Sequence, residues 1–340
     1  VNGALSALPI DRGAIFAAAI AGNPTMRDLF FGLDVQPIGR SPFMSQTQAD
    51  ALAGRRPSTS LRAEAGELGL AIHPRAIVYG LPLVSHHVGA DTAAVLATLP
   101  LDRHAGPFVA IDIGTNTEVV IGQRDRIVCA SCPAGPAFEG GRLTCGMTAS
   151  DGAIAGMRRR NGGWELDILG EGPARGVCGS GLVDLLSELR DDGEMDELGR
   201  FRDGRTAVSI VARPPLHFTR SDAAELAQAK AANAIGQVVL LRRTGVAVSQ
   251  IETFYLAGAF ANKMNLDHAR RIGLLLPVPD SRIVRIGNAS IEGARAVLLN
   301  RERRDRIESL VRGVEHVELE KEPDFFDLFT ELMRFQPIAV

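Results

Sequence analysis

The chain has 340 residues, 46% of them hydrophobic, a formal net charge of -3 and an isoelectric point near 6.2. That length suits two α/β domains with sizeable cores, and the balanced charge supplies no global field for nucleic acid or an anionic membrane. No apolar run reaches the roughly 20 residues that span a bilayer, and Val1 opens no secretory signal, so a cytoplasmic protein that binds neither nucleic acid nor membrane is expected.

Residues 1–105 read as an incomplete domain with several helices, one convincing strand and no sheet of its own. Residues 14–20 form a short buried element, and Thr25 can cap a helix that runs to Phe31 before Gly32 stops it. Pro42, Pro57 and Pro74 mark irregular connections. An apolar strand lies within 75–81, and Ser85-His-His-Val-Gly-Ala-Asp91 leads into an Ala-rich helix ending near Leu99. Adjacent histidines face different ways on most elements, which argues against His86 and His87 sharing one metal.

Gly106-Pro107 punctuates the boundary, and residues 108–122 follow as the most informative stretch. The apolar, β-branched run 108–113 suits a strand covered on both faces, with Asp112 at the carboxyl end where α/β sheets place ligands. A carboxylate buried there needs a cation or donors. Gly114 permits unusual backbone angles, and Thr115, Asn116 and Thr117 offer short polar groups, so the turn can aim N–H groups at phosphate oxygens. An ordinary β-hairpin is the alternative.

Cys129, Cys132, Cys145 and Cys178 all lie mid-chain; Cys129 and Cys132 have metal-pair spacing, but no second pair follows, so packing competes with a metal or redox site. The Gly- and Pro-rich stretch 132–141, which contains Glu139, is irregular and expected to wrap beside a ligand. Arg158-Arg-Arg160 is either a partner-docking run or a solvated loop. Residues 172–181 form a second glycine-rich turn opening onto a helix over 182–189, whose start at Gly179-Ser180-Gly181 is either an anion site or a packing device. Thr219 with Asp222 resembles a capping pair for a long, mostly apolar helix over 223–243 that ends at Gly245. The strand 251–256 runs into Ala257-Gly258-Ala259-Phe-Ala-Asn262, a turn small enough for a flat ring to approach the backbone. Another strand, 283–286, ends in Gly287-Asn-Ala289, with Ser290 capping the next helix; 314–319 reads as a strand and 325–335 as an amphipathic core helix.

The order of these turns resembles the second lobe of the actin, sugar-kinase and Hsp70 ATPase superfamily, an α/β fold with ribonuclease H-like lobes. More narrowly, Asp112-Ile-Gly-Thr-Asn116, Gly135-Pro-Ala-Phe-Glu-Gly140, Cys178-Gly-Ser-Gly-Leu182, Leu256-Ala-Gly-Ala-Phe260, Arg271-Ile-Gly-Leu-Leu275 and Gly287-Asn-Ala289 resemble the reductive activators of corrinoid proteins. Ala21-Gly-Asn-Pro-Thr-Met26, Val317-Glu-Leu319 and the 325–329 segment extend the likeness over most of the chain.

The resemblance implies a partial first actin-like lobe over 1–105 and a second nucleotide-binding lobe over 106–340 with a C-terminal strand and helix. It implies an enzyme that uses ATP and Mg²⁺ to drive an electron onto the Co(II) corrinoid of a methyltransferase partner, restoring Co(I). The electron arrives through a 2Fe–2S domain that in the family precedes the region resembled, so no cysteine here inherits its ligands, and the chain reads as a C-terminal portion. Asp112, Gly114, Thr115 and Asn116 would form the second phosphate site, Asp112 acting on Mg²⁺ through water; Thr117 belongs to the same turn. Gly258 and Ala259, with Asn262 in their turn, would border adenine or ribose, and Gly179, Ser180 and Gly181 would add backbone donors. Lys230 is a candidate for ribose or phosphate, or a solvated helix lysine; Glu139 would orient water or metal, or is a plain turn carboxylate. ATP would act as a lever that shifts conformational states.

Two rivals share these turns: a small-molecule kinase, with Asp91 or Asp151 as base, and a scaffold module that kept the fold without catalysis. A homodimer is left open.

Overall fold

The computed structural model describes residues 1–258 and 260–339. Two compact units emerge, Val1–His104 with Asn288–His316, and Ala105–Gly287 with Val317–Val340.

The first unit begins with α1 (Asn2–Ser6), β1 (Ala17–Ile20), α2 (Pro24–Phe30), α3 (Gln46–Leu52), β2 (Leu61–Glu64), β3 (Ile77–Gly80) and α4 (Ala90–Thr98). Contrary to the expectation of no sheet, β1 pairs parallel and β2 antiparallel with the central β3. The sheet hides in the sequence because β1 reads Ala-Ala-Ala-Ile and β2 reads Leu-Arg-Ala-Glu, short and nearly free of β-branched residues. Asn23, not Thr25, caps α2 by accepting a 2.9 Å bond from the Met26 N–H, with Pro24 at the first helical position. Arg27, fully buried on α2, bonds Asp28 Oδ1 at 2.6 Å, Thr47 Oγ1 at 2.8 Å and the carbonyls of Thr59 and Leu81 at 2.8 and 3.2 Å. One guanidinium thereby ties α2 to α3, to the approach to β2 and to the exit of β3.

The second unit contains β4 (Phe108–Ile113), β5 (Thr117–Gln123), β6 (Arg126–Cys132), β7 (Ala153–Arg160), β8 (Gly163–Ile168), β9 (Gly176–Val177), α5 (Gly179–Asp191), β10 (Ala207–Val211), β11 (Leu216–Thr219), α6 (Arg220–Thr244), β12 (Thr253–Ala257), α7 (Leu266–Arg271) and β13 (Ile283–Gly287). Its main sheet runs β13-β12-β4-β5-β6, with β4, β5 and β6 an antiparallel meander and β12 parallel to both β4 and β13. That is the ribonuclease H-like arrangement expected from the order of the turns. A smaller sheet, β8-β7-β9, carries α5 on its flank, and α6 covers β5 and β6. The capping box expected for α6 forms in both directions, Asp222 N–H to Thr219 Oγ1 at 3.1 Å and Thr219 N–H to Asp222 Oδ2 at 2.9 Å, and Gly245 closes the helix at φ +68°.

The chain then returns to the first unit as α8 (Ala289–Leu299), α9 (Arg301–Leu310) and β14 (Val314–His316). Residues 288–316 pack with the first unit, where α8 lies so close to α4 that a Cβ on Gly293 would overlap the Ala94 carbonyl. Asn288, not Ser290, caps α8 through the Ile291 N–H at 3.1 Å. The last helix, α10 (Phe325–Leu332), packs on α6 with Leu328 and Leu332 buried, the core role expected for that stripe. Among the described residues no helix is long and apolar enough to cross a membrane.

Candidate functional site

Within the second unit the carboxyl end of β4 is the organising point. Asp112 is half-buried there and stands directly opposite Glu118 of β5 and beside Ala257 of β12. Directly opposed residues of an antiparallel pair share a face, so two carboxylates meet on one side of the hairpin, an arrangement that a cation relieves. Glu118 went unnoticed in the sequence because its neighbours Val119, Val120 and Ile121 make the segment read simply as a strand.

The turn itself is exposed at Thr115 and Asn116. Thr115 Oγ1 donates to Glu139 Oε2 at 2.8 Å, and the Gly135 N–H donates to the Thr115 carbonyl at 2.8 Å, so the irregular 132–141 stretch lies against the turn. A Cβ on Gly114 would sit 3.7 Å from Glu139 Oε1, which puts that carboxylate at the turn's edge. Thr117 differs from its neighbours, being fully buried with its hydroxyl donating to Asn233 Oδ1 on α6, so that hydroxyl serves the fold instead of a ligand.

Gly258 closes the other side. Its φ is +109°, and a Cβ there would lie 2.6 Å from the Ile113 carbonyl oxygen, so glycine alone lets this turn approach the end of β4. The Gly258 N–H bonds the Gly287 carbonyl at 3.0 Å, and Arg285 of β13 donates to the carbonyls of Ala261 at 2.9 Å, Met264 at 2.8 Å and Asn262. Arg285 thus holds the 260–264 turn, with Asn262 exposed beside Gly287. Its role is invisible in sequence because every acceptor is a backbone carbonyl some twenty residues away. Ala259 lies outside the described residues.

The start of α5 packs against both the 137–139 and 260–262 turns. Ser180 spends its hydroxyl on the Ala155 carbonyl at 2.6 Å, and a Cβ on Gly181 would overlap the Ile154 carbonyl, so both positions bring α5 tightly onto β7. Gly179, Ser180 and Gly181 are all buried, yet the N-cap Cys178 gives the first turn no side-chain bond. A buried, uncapped helix start is where a ligand oxygen finds donors.

Lys230 is neither solvated nor at these turns: it is 1% exposed, and its Nζ donates to the Arg334 carbonyl at 2.6 Å. Burial pulls its pKa down to about 7. With Asn233 and Gln237 it forms a buried polar stripe on α6, in which Gln237 Nε2 donates to the Leu274 carbonyl at 2.9 Å and Gln237 Oε1 accepts from the Leu276 N–H at 3.1 Å. The spacing of these three polar residues on a helix of Ala, Val and Leu was the sequence signal for an internal anchor.

All four cysteines are free and buried. Burial, then Glu118, pushes the Cys132 thiol up to about 12, and burial, then Asp222, does the same to Cys145. Such thiols stay protonated, which suits packing. Among the described residues no group of three or more His, Cys, Asp and Glu is arranged to hold a metal ion. His86 and His87 have separate ring neighbours, His316 at 5.9 Å and Phe43 at 5.7 Å. Arg158-Arg-Arg160 is the end of β7 and not a loop; Arg159 stacks on Trp164 at 3.9 Å and pairs with Asp192 and Glu194 at 3.1 and 2.6 Å. Of the carboxylates weighed as kinase bases, Asp151 is exposed against Gly170, and Asp91 stands at the start of α4 with its pKa raised by burial.

Comparison with known proteins accords with this geometry. Residues 107–339 match the family described as the C-terminal domain of RACo, the ASKHA domain, and residues 1–104 match the RACo middle region. The chain is 31% identical over 344 residues to a corrinoid activation enzyme, RamQ, of Eubacterium limosum, covering 94% of this chain and 56% of that protein. It is 23% identical over 338 residues to the Co(II) methylated amine-specific corrinoid protein reductase of Methanosarcina barkeri, covering 90% and 59%. A solved reductive activator for a corrinoid, iron–sulfur protein superposes with a TM-score of 0.86 at 29% identity, over 96% of this chain and 54% of that one. The chain thus spans little more than half the length of the proteins it matches. Its two matched segments, together with the ribonuclease H-like sheet and the turns at its carboxyl edge, make the chain a member of the RACo family that carries the middle region and the C-terminal ASKHA domain.

Proposed function

We propose that the protein is the ATP-using portion of a cytoplasmic reductive activator that returns the oxidised Co(II) corrinoid of a methyltransferase partner to Co(I). One electron, delivered from a 2Fe–2S domain elsewhere in the full-length protein, completes that reduction. The observation that carries this reading is the meeting of four turns around the end of β4, in a chain of the RACo family.

The residues fit a magnesium nucleotide. Mg²⁺ takes one or two carboxylates and fills its remaining positions with phosphate oxygens and water, which matches the opposed Asp112 and Glu118 and needs no larger cluster. The exposed 114–116 turn offers N–H and side-chain donors to phosphate, the buried uncapped start of α5 offers more, and the Gly258 turn leaves room for a ring near the backbone. Glu139, held by Thr115, would orient water at the phosphate end. When bound, ATP supplies a ligand whose unequal affinity for two conformations shifts their populations. The turn amides, and Asp112 through Mg²⁺, would provide that inequality by holding the terminal phosphate.

Calorimetry with Mg·ATP on this chain tests the site, and the Co(II)-to-Co(I) spectral change of a corrinoid protein mixed with the full-length activator tests the activity. Binding should vanish in Asp112→Asn; reduction that runs equally fast without ATP would remove the nucleotide from the mechanism.

A further inference from the structure

At the end of α5 remote from Gly179, a cavity of about 490 Å³ opens between the tip of that helix, the 193–206 segment and the first residue of α6. Arg190, Arg200, Arg202, Arg205 and Arg220 line it, in a chain whose net charge is -3. Their charges are not equally compensated. Arg200 pairs with Asp196 at 2.7 Å, and Arg205 pairs with Glu194 at 2.9 Å. Burial disfavours the charge of Asp196, yet bonds from the Arg200 and Leu198 N–H groups and the Arg200 guanidinium outweigh it and hold its carboxyl below the usual range. Arg190 is fixed by two backbone carbonyls, Phe335 at 2.9 Å and Met195 at 2.8 Å, which position the guanidinium without neutralising it. Arg202 lies along Gly193, where a Cβ would come 2.6 Å from its Nη2. Among the described residues, neither Arg202 nor Arg220 has a carboxylate partner.

We propose that this cavity binds a small phosphate compound carrying at least two negative charges, at a site separate from the nucleotide turns. The planar, forked donors of three uncompensated guanidinium groups around one concavity suit the several oxygens of a tetrahedral phosphate, and the volume falls within the range of small-molecule pockets. The 13 residues of α5 set this cavity roughly 20 Å from the helix start, so one ligand does not fill both places. The inference holds whether or not the chain proves to be a corrinoid activator.

The cavity also has a built-in reporter. Glu194 Oε2 accepts from Arg205 at 2.9 Å and from Arg159 at 2.6 Å, and Arg159 lies 3.9 Å over the ring of Trp164, the chain's only tryptophan. A ligand that draws Arg205 off Glu194 alters the charge held against that indole.

The test is a titration of this chain with pyrophosphate, read by Trp164 fluorescence and by calorimetry, with citrate as a carboxylate comparator. The titration is run in metal-free buffer, in which the carboxylates Asp112 and Glu118, without a bridging cation, disfavour pyrophosphate at the nucleotide turns. In that buffer a saturable response should remain, should weaken about tenfold or more in Arg202→Gln/Arg220→Gln, and should be stronger for pyrophosphate than for citrate. Both arginines are exposed, so the double variant is expected to fold. No response up to millimolar pyrophosphate, or one indifferent to the arginine substitutions, would overturn the site; tighter binding of citrate would overturn its assignment to phosphate.

Discussion

Thr117 and Asn233 are joined by a hydrogen bond that is sealed from solvent, one at the foot of the β4–β5 turn and the other in the middle of α6. Asn233 is itself held to the helix through the Ala229 carbonyl at 2.6 Å. The foot of the turn is thereby anchored to α6.

Removing either partner leaves a buried polar atom without its bond. Thr117→Val should cost roughly 1–3 kcal/mol of unfolding free energy, and Asn233→Ala a similar amount, while the double variant should cost less than the sum because it leaves neither group stranded. Urea unfolding of the three variants checks the coupling. Strict additivity would mean that the bond contributes nothing as a pair.

The motifs that were legible in sequence are those made of neighbours along the chain. Gly114 to Asn116, the Gly258 turn and the Thr219–Asp222 capping box all depend on backbone freedom or on partners within a few residues. Glu118 and Arg285 were not legible, since each acquires its meaning from a strand register or from carbonyls far away in sequence, and the spacing of Asn233 on α6 signals an anchor but not its partner, the Thr117 hydroxyl. Thr117 shows the converse case: its hydroxyl suits phosphate by residue type, but the close approach of α6 to β5 claims it for Asn233. Ser180 is expected to offer only a backbone donor, and its hydroxyl goes to the Ala155 carbonyl on β7. The first unit's sheet was missed for a related reason, because four-residue strands rich in alanine carry almost no period of their own.

Asp112 and Glu118 make opposite demands on stability and on binding. Asp112→Asn removes the like-charge pair and should leave unfolding free energy unchanged or raise it by about 0.2–1 kcal/mol, while abolishing Mg²⁺-dependent nucleotide affinity. Thermal melts with and without Mg·ATP separate the two effects. Loss of stability in the metal-free variant would show that Asp112 is a structural hydrogen-bond acceptor instead of a cation ligand.

Gly258 is predicted to resist even the smallest side chain. Gly258→Ala meets both a left-handed φ of +109° and the Ile113 carbonyl at 2.6 Å, so it should destabilise the chain by roughly 1–3 kcal/mol and weaken nucleotide binding together. Gly245→Ala, at φ +68° with open space around it, is the matched control. It should show backbone strain alone, with binding intact.

Arg27 closes three segments of the first unit with one buried guanidinium, and burial lowers its pKa against the opposing pull of Asp28. Arg27→Ala strands Asp28, whose Oδ2 already lacks a hydrogen-bond partner, and should cost roughly 3–5 kcal/mol. Chemical unfolding followed by circular dichroism measures this. Arg27→Met with Asp28→Leu should recover much of the loss, since no buried charge is then left alone.

Lys230 gives the pH dependence a definite sign. Its amine falls from 10.5 to about 7 because burial disfavours the charged form, and its Nζ meets a carbonyl and the Phe335 ring at 6.0 Å, with no carboxylate among the described residues to offset that cost. Between those two values the unfolded chain holds a proton that the folded chain lacks, so this residue's contribution to stability rises with pH from about 7 toward 10.5, is lost progressively as pH falls through that window, and is flat below about 7, where both states are protonated. At full size the effect is on the order of a few kcal/mol. Lys230→Met removes the titration along with the bond to Arg334, so the informative quantity is not either stability alone but the gap between them. Urea midpoints at pH 6, 8 and 9.5 should move that gap steadily in favour of the native chain. A flat gap would mean that the amine keeps its proton throughout.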